Sequence, residues 1–216
     1  MQIEIKTDLK GFSRQLSEVA KRQLPFAVAQ ALTMTAGQIG LGWQKEIEAK
    51  LDRPTPFTVK SVAVLGAKKT RLVATVFVKD IAAAYLEPFV DGGSHFLGQK
   101  KGLLTPKNVP LNAYGNISKG KLASLKGKPG VFIGPVKLKN GQVVNGVWQR
   151  KVAAGGKGVK AGPLQGAQAL TLLIRFTDPQ PVKQHLDFDG IAIATAQRQL
   201  QPNFAKALKH AMATAR

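Results

Sequence analysis

A stripe of apolar residues at helical spacing, followed at once by two closely spaced prolines, constrains the fold of this chain most strongly. Steps of three and four residues place the side chains of the stripe on one face of a helix. The pattern predicts a helix over 26–51, about 39 Å long at about 1.5 Å per residue, with Pro25 in its first turn. The stripe consists of Val28, Leu32, Ala36, Ile39, Trp43, Ile47 and Leu51.

The helix is predicted to end at a rigid, extended corner that leads into a sheet. Pro54 disfavours helical geometry at Arg53, and Pro56 does the same at Thr55. We expect the corner to be structural, with Phe57 buried beside the long helix. Its residues are Arg53, Pro54, Thr55, Pro56, Phe57 and Thr58.

Three glycines interrupt the middle of the predicted helix. Gly37, Gly40 and Gly42 each cost about 1 kcal/mol relative to alanine at such positions. One interpretation is a kink or close packing against a neighbouring backbone. The other is that a second subunit packs against the helix here, and both interpretations stay open at this point.

The remaining patterns predict an α+β fold with a mainly antiparallel sheet. Alternation indicates strands at 1–6, 61–65, 71–78, 131–133, 147–149 and 170–176, and the second and third of these form a hairpin. The short apolar stretch 81–90 is predicted to be helical through 82–86. Helical spacing indicates a short helix over 9–20 and a final helical region over 188–215. Asp189 is the candidate cap of that region, and Pro202 interrupts or restarts it. We expect a single α+β domain over 1–216, with the long N-terminal helix packed on the sheet.

Positive charge is concentrated in one segment of the chain. In total, 32 Lys and Arg oppose 12 Asp and Glu, a formal net charge of +20. No acidic residue occurs from Gly92 to Thr177, a range with 12 Lys and 2 Arg, so +14 of the +20 lies there. The segment is also rich in Gly and has weak periodicity, which predicts a loop-rich basic insertion at about 94–166. Such a charge suits a polyanion, either nucleic acid or an acidic protein surface.

The basic side chains of the insertion are the candidate DNA- or partner-facing residues. Aromatic residues are sparse among them, which favours phosphate contacts over readout of bases. The alternative is a solvated loop whose charge keeps copies of the chain apart. The candidates are Lys100, Lys101, Lys107, Lys119, Lys121, Lys126, Lys128, Lys137, Lys139, Arg150, Lys151, Lys157 and Lys160.

No pattern in the sequence predicts catalysis, a cofactor or a metal. The chain contains no cysteine, and His95, His185 and His210 fit no metal-binding spacing. The stretch 115–121 matches G-x-x-x-x-G-K, but Leu122 follows where a phosphate-binding loop has Ser or Thr. We therefore expect no enzyme. We also expect no membrane span, because no run approaches about 18 apolar residues.

Three stretches carry a resemblance to known proteins. They are 24–33 with the helix that follows, the corner 53–58, and the stretch 85–93, which reads Tyr-Leu-Glu-Pro-Phe-Val-Asp-Gly-Gly. In these stretches, and so over about the first 95 residues, the chain resembles tail-completion and neck proteins of tailed bacteriophages, in particular the minor tail protein Z family. The Arg-Pro-Thr-Pro-Phe-Thr stretch is the distinctive part, whereas an alanine-rich helix is common.

The resemblance implies a non-enzymatic virion protein that forms a homo-oligomeric ring at the head–tail junction or the upper tail. DNA would pass through this ring, and other neck, tail or portal-side proteins would be its neighbours. The basic insertion would reach a neighbouring ring, the portal side or DNA. Assembly in the host cytoplasm fits an N-terminus without the apolar core of a signal peptide. The alternative from another class is a sequence-independent nucleic-acid-binding protein of the nucleoid or ribosome-associated type.

Overall fold

The computed structural model describes residues 1–6, 18–95, 103–150 and 170–214. The chain divides into two compact units, the first formed by Met1–Gly93 with Val182–Arg216 and the second by Ser94–Pro181. Helices and antiparallel sheets are both present, so the predicted α+β class is confirmed. The short helix predicted over 9–20 lies mostly outside the described residues.

The helices and strands follow one another in mixed order along the chain. They are β1 (Gln2–Lys6), α1 (Glu18–Lys50), α2 (Pro56–Val59), β2 (Val62–Leu65), β3 (Val73–Val78), α3 (Asp80–Asp91), β4 (Gly93–His95), β5 (Leu103–Pro106), α4 (Lys121–Lys126), β6 (Val131–Lys137), β7 (Val143–Arg150), β8 (Leu170–Thr177), β9 (Gln180–Val182) and α5 (Phe188–Ala213).

The first unit is built on a three-stranded antiparallel sheet of order β1-β3-β2. Ile3 and Val64 pair with Val76 from opposite sides, so the three side chains share one sheet face. Helix α1 packs on this face, where Val76 is fully buried and Ile3 partly buried. The hairpin predicted between 61–65 and 71–78 is present as β2 and β3.

Helix α1 presents the predicted apolar stripe to this core. All of the stripe residues from Val28 to Ile47 are buried in one cluster with the sheet, and Leu51 packs against its edge. The predicted start of the helix was wrong, because α1 begins at Glu18 and contains Pro25. Leu24 and Val28, on either side of this proline, are both buried. Core packing therefore holds the helical geometry through Pro25.

Helices α1 and α5 pack against each other through an interface that is aromatic at one end, polar in the middle and lined by alanines at the other end. At one end Trp43 stacks on Phe188 with ring centroids 4.5 Å apart, and its indole N–H donates to the Phe188 carbonyl at 2.8 Å. In the middle the Asn203 amide donates to the Thr35 hydroxyl at 2.9 Å. Because low numbers on one helix face high numbers on the other, the pair is antiparallel. Four buried alanines close the far end: Ala27, Ala31, Ala207 and Ala211.

The final helix is continuous where the sequence predicted an interruption. Helix α5 runs through Pro202, and the adjacent Asn203 is buried against α1. The hydrogen bonds of Asn203 to α1 help to offset the one lost at the proline. The predicted cap was also wrong, since Asp187 is the N-cap and accepts the Gly190 N–H at 2.9 Å, whereas Asp189 lies in the first turn.

The second unit is a four-stranded antiparallel sheet of order β5-β8-β7-β6, with α4 on one face. A turn at Asn140-Gly141 joins β6 to β7, and Gly141 has a φ of 81°, which glycine tolerates best. The Leu138 N–H closes this turn by donating to the Gln142 carbonyl at 2.8 Å. The buried core of the unit consists of Leu125, Val147, Leu173 and Ile174.

The segment predicted as a loop-rich insertion is more regular than expected in its described part. Strands β5, β6 and β7 and helix α4 lie within 94–166, and the second unit continues beyond that range through β8. Apolar and polar residues alternate weakly in the sequence of β6, because Gly134, Pro135 and Lys137 interrupt its apolar residues. These three residues are half-exposed or exposed. The chain enters this unit within β4 and leaves it within β9, and these strands are neighbours in a two-stranded sheet.

Candidate nucleic-acid interface

The structure describes eight of the thirteen candidate DNA- or partner-facing residues, and all eight lie in the second unit. Seven are exposed and Lys121 is half-buried. The other five candidates, Lys100, Lys101, Lys151, Lys157 and Lys160, lie outside the described residues. The eight are Lys107, Lys119, Lys121, Lys126, Lys128, Lys137, Lys139 and Arg150.

Four of these lysines surround one short helix. Lys119 and Lys121 flank Gly120 at the start of α4, Lys126 is its last residue, and Lys128 follows two positions later. We call these four residues the α4 lysines. Since α4 has 6 residues and each advances the helix by about 1.5 Å, four positive charges are concentrated around about 9 Å of helix. The buried face of α4 packs on the sheet core through Leu125, which leaves the lysines in the layer above the sheet.

Strand geometry divides the other basic residues between the two faces of the sheet. Lys137 is an even number of residues from Val131, which packs in the core beneath α4, so Lys137 lies on the α4 face. Arg150 lies on the opposite face, where its guanidinium sits 5.1 Å from the centroid of the Phe132 ring. The predicted basic residues therefore do not form one continuous stripe. The α4 lysines and Lys137 share one face, and Arg150 belongs to the other.

Arg175 is a basic residue of this sheet that the sequence analysis did not single out. It lies in β8 opposite Gly146 of β7, and its register places it on the same face as Arg150. Its side chain is half-buried, and among the described residues none forms an ion pair with it. Because no acidic residue occurs from 92 to 177, the sheet itself supplies no carboxylate for this charge. In the sequence Arg175 lies within the apolar strand 170–176, so it was assigned to the strand and not to the basic surface.

The stretch 115–121 that partly matches a phosphate-binding loop follows turns instead of a strand. The Asn112 side chain accepts hydrogen bonds from the backbone N–H groups of Tyr114 and Asn116, each at 3.0 Å. Leu111 and Ile117 then form an isolated antiparallel bridge before α4 begins. A phosphate-binding loop instead joins a strand directly to a helix. The stretch 115–121 therefore lacks the strand that precedes a phosphate-binding loop.

The remaining candidate chemistry concerns metals and membranes. Within the described ranges, no group of three or more His, Asp and Glu side chains is placed to hold a metal ion. His185, in the connection between β9 and α5, and His210, in α5, are both exposed. None of the helices that the structure describes combines the length and the apolar character needed to cross a membrane.

The proline corner is tied to α3 by a chain of hydroxyl groups. Thr55 is the N-cap of α2 and accepts the Thr58 N–H at 3.2 Å. The Thr58 hydroxyl is hydrogen-bonded to the Thr55 hydroxyl at 3.0 Å and to the Tyr85 hydroxyl at 2.9 Å. The corner is therefore anchored at Thr58, which is buried.

The predicted burial of Phe57 was wrong, since its side chain is 59% exposed. The chain forms the short helix α2 at this point, and consecutive helical residues point about 100° apart. With Thr58 directed inward, Phe57 is turned toward solvent.

At the start of the corner, Arg53 has a φ of 48°, which is rare for a residue other than glycine. Its side-chain hydrogen bond to Asp52, and then the Asp52 charge, raise the pKa of this guanidinium.

Comparison of the chain with models of known protein families, with curated proteins and with solved structures finds no match. The geometry of the basic unit is therefore the structural observation that bears on function.

The second unit has the chemistry of a surface for anions. Lysine ammonium groups bind phosphate or carboxylate as point charges and do not discriminate between bases. The guanidinium of Arg150 is positioned over Phe132, an arrangement that also leaves it free to contact an anion at its edge. Such a surface fits sequence-independent contact with DNA or contact with an acidic protein.

Proposed function

We propose that this chain is a non-enzymatic structural protein of a tailed-phage virion. It acts as a subunit of a symmetric ring at the head–tail junction or the upper tail, through which DNA passes. The observation that carries the proposal is the resemblance of 24–33, 53–58 and 85–93 to the minor tail protein Z family and its neck-protein relatives.

The structure supports treating these stretches as one framework. The hydroxyls of Thr58 and Tyr85 join the second stretch to the third. Leu32 of the first and Leu86 of the third are buried in the same core cluster. Residues that are scattered in the sequence therefore meet in the first unit, as expected for a shared structural role.

The second unit then supplies the charged surface that a DNA-conducting ring needs. The α4 lysines and Lys137 face the DNA path or an acidic neighbouring protein. Lysines fit this task because DNA passing through a ring presents phosphates of every sequence, and contact must not depend on bases.

Electron microscopy of the purified chain, with light scattering to give its mass, tests the ring. We expect discrete closed rings, and we expect the chain in purified tailed particles from cells in which those particles assemble. A chain that stays monomeric at all concentrations and is missing from such particles would contradict the proposal.

The second candidate function is sequence-independent nucleic-acid binding outside a virion, which the acid-free range 92–177 favours. Both candidates predict DNA binding that weakens steeply with salt. Each phosphate contact contributes about −0.9 to the slope of log affinity against log salt concentration, so four α4 lysines contribute up to about −3.6.

Reversal of the α4 lysines to Glu tests where DNA binds. A matched control reverses four exposed lysines of the first unit, Lys60, Lys68, Lys69 and Lys79, with the same change in net charge. We expect loss of DNA binding in the α4 variant only. Equal losses would mean that net charge alone drives binding. If the α4 variant binds DNA as well as the parent chain does, these lysines contact an acidic protein and not DNA. A particle defect in cells would separate the ring protein from a host factor, which has no particle phenotype.

A further inference from the structure

A groove of about 610 Å³ lies between α1 and α5 in the first unit. Its lining on α1 runs from Gln38 to Ala49, which corresponds to about 17 Å of helix. Apolar side chains form much of the lining, and Leu41 is 59% exposed there. Ile191 and Ala194 contribute from α5. An apolar groove of this length between two helices matches the site that an amphipathic helix occupies in a partner.

The charges along the groove favour a negatively charged occupant. Lys45 of α1 and Arg198 of α5 are exposed in its lining, and Glu46 is half-buried there. The lining therefore carries a net charge of +1. DNA is a poor occupant because a phosphate backbone has no apolar surface to cover Leu41.

Helix α3 carries an exposed face of complementary character. Asp80, Ile81, Ala84, Glu87 and Asp91 are exposed, and their spacing places them along one side of the helix. Ile81 is 74% exposed, more than any other large apolar side chain in the described part of the chain. No basic residue occurs in α3, which holds three of the 12 acidic residues of the protein.

We propose that α3 of one copy binds in the α1/α5 groove of a second copy. Helix α3 has 12 residues, so at about 1.5 Å per residue its length of about 18 Å matches that of the groove. Ile81 and Ala84 cover Leu41 and Ile191, while Glu87 and its acidic neighbours approach Lys45 and Arg198. The inference rests on the proposed function to the extent that the chain assembles with itself.

This contact joins two different surfaces of the same chain. No residue of α3 lines the groove, so a copy that binds through one of these two surfaces still presents the other. Contacts of this head-to-tail type close into rings when the rotation between copies permits, and otherwise continue as filaments. The inference thereby names the surfaces through which ring subunits would meet.

Cysteine cross-linking tests the contact, because the natural chain has no cysteine. Ile81→Cys and Ala194→Cys are made separately, purified and mixed under mild oxidation. Both positions are exposed, so neither substitution removes core packing. A disulfide needs Cα atoms about 4.4–6.8 Å apart. We expect at least ten-fold more heterodisulfide than from Ile81→Cys mixed with Val143→Cys, an exposed position of the second unit.

A double variant and a charge exchange sharpen the test. Ile81→Cys combined with Ala194→Cys in one chain should give a ladder of cross-linked dimers, trimers and larger species. Reversal of the groove charges by Lys45→Glu and Arg198→Glu should reduce the cross-link several-fold. Introducing Glu87→Lys and Asp91→Lys into the copy that carries Ile81→Cys should restore the cross-link.

The outcomes separate the contact from the ring function. Equal heterodisulfide in the test and control pairs would overturn the contact. Rings in electron micrographs without the specific cross-link would also overturn it, while leaving the ring function intact. A cross-linked ladder that never closes would support the contact and count against the ring.

Discussion

Alanine at each of the three glycines of α1 should have a different effect on stability, because a Cβ at each position meets a different environment. At Gly37 nothing lies within 4 Å of the added Cβ. At Gly40 the Cβ lies 3.0 Å from Cγ2 of Val64, and at Gly42 it lies 2.8 Å from Cγ2 of Ile191. The two close approaches favour packing within the subunit as the reason for Gly40 and Gly42.

The magnitudes follow from helix propensity and from the space available. Alanine stabilises a helix interior by about 1 kcal/mol relative to glycine, so Gly37→Ala should raise the free energy of unfolding by about that amount. In a chain of this size the melting temperature then rises by about 2–4 °C. Gly42→Ala forces Ile191 to move, and overpacking of about 1–3 kcal/mol should cancel or reverse the gain. Gly40→Ala should be close to neutral, because Val64 lies on an edge strand and has room to shift.

Urea unfolding followed by fluorescence measures these effects. A Trp148→Phe background leaves Trp43 as the reporter of the first unit, since the chain has two tryptophans. The Ile191→Ala variant removes the clashing methyl group, and in that background Gly42→Ala should become stabilising by about 1 kcal/mol. A coupling energy below about 0.5 kcal/mol between these two substitutions, or equal stabilisation by Gly37→Ala and Gly42→Ala in the parent chain, would refute the reasoning.

Three further substitutions test individual contacts by urea unfolding of the parent chain followed by circular dichroism, which needs no tryptophan reporter. Trp43→Phe should cost about 1–3 kcal/mol, because it leaves the buried Phe188 carbonyl without its donor; Trp148→Phe is the control, since its indole N–H has no partner in the described part of the chain, and equal costs would count against the hydrogen bond. Phe57→Ala should change stability by less than about 0.5 kcal/mol, because the ring is mostly exposed, and a loss of several kcal/mol would show that it is packed in solution. Arg53→Gly should stabilise by about 0.5–1 kcal/mol by relieving the positive φ, and destabilisation would mean that the ion pair with Asp52 outweighs the backbone strain.

The buried stripe of α1 was predictable because packing on one sheet leaves a regular spacing in the sequence. The continuity of α1 through Pro25 and of α5 through Pro202 was not predictable, since local propensity argues for a break at each of these prolines. Burial of Leu24 and the hydrogen bonds of Asn203 override that propensity. Such tertiary contacts join residues far apart in the chain and leave no local pattern.

The candidate interface was predictable in composition and not in arrangement. An acid-free range identifies the basic unit by counting alone. Whether Lys137 and Arg150 share a face depends on where β6 and β7 begin and how they pair, which the weak alternation of β6 does not reveal. Similarly, the outward position of Phe57 depends on α2 being helical, although the prolines predicted an extended corner.

Because β4 and β9 are neighbouring strands, the second unit could be deleted without moving apart the two chain ends that it joins in the first unit. Neighbouring strands lie about 4.8 Å apart, so a loop of a few residues would reach from position 93 to 182. Residues 94–181 hold 14 Lys and Arg and one Asp, or +13 of the total charge of +20. The large core cluster consists of residues from the first unit alone. Deletion or exchange of this one segment would therefore change most of the charge of the protein while leaving intact the core of the first unit.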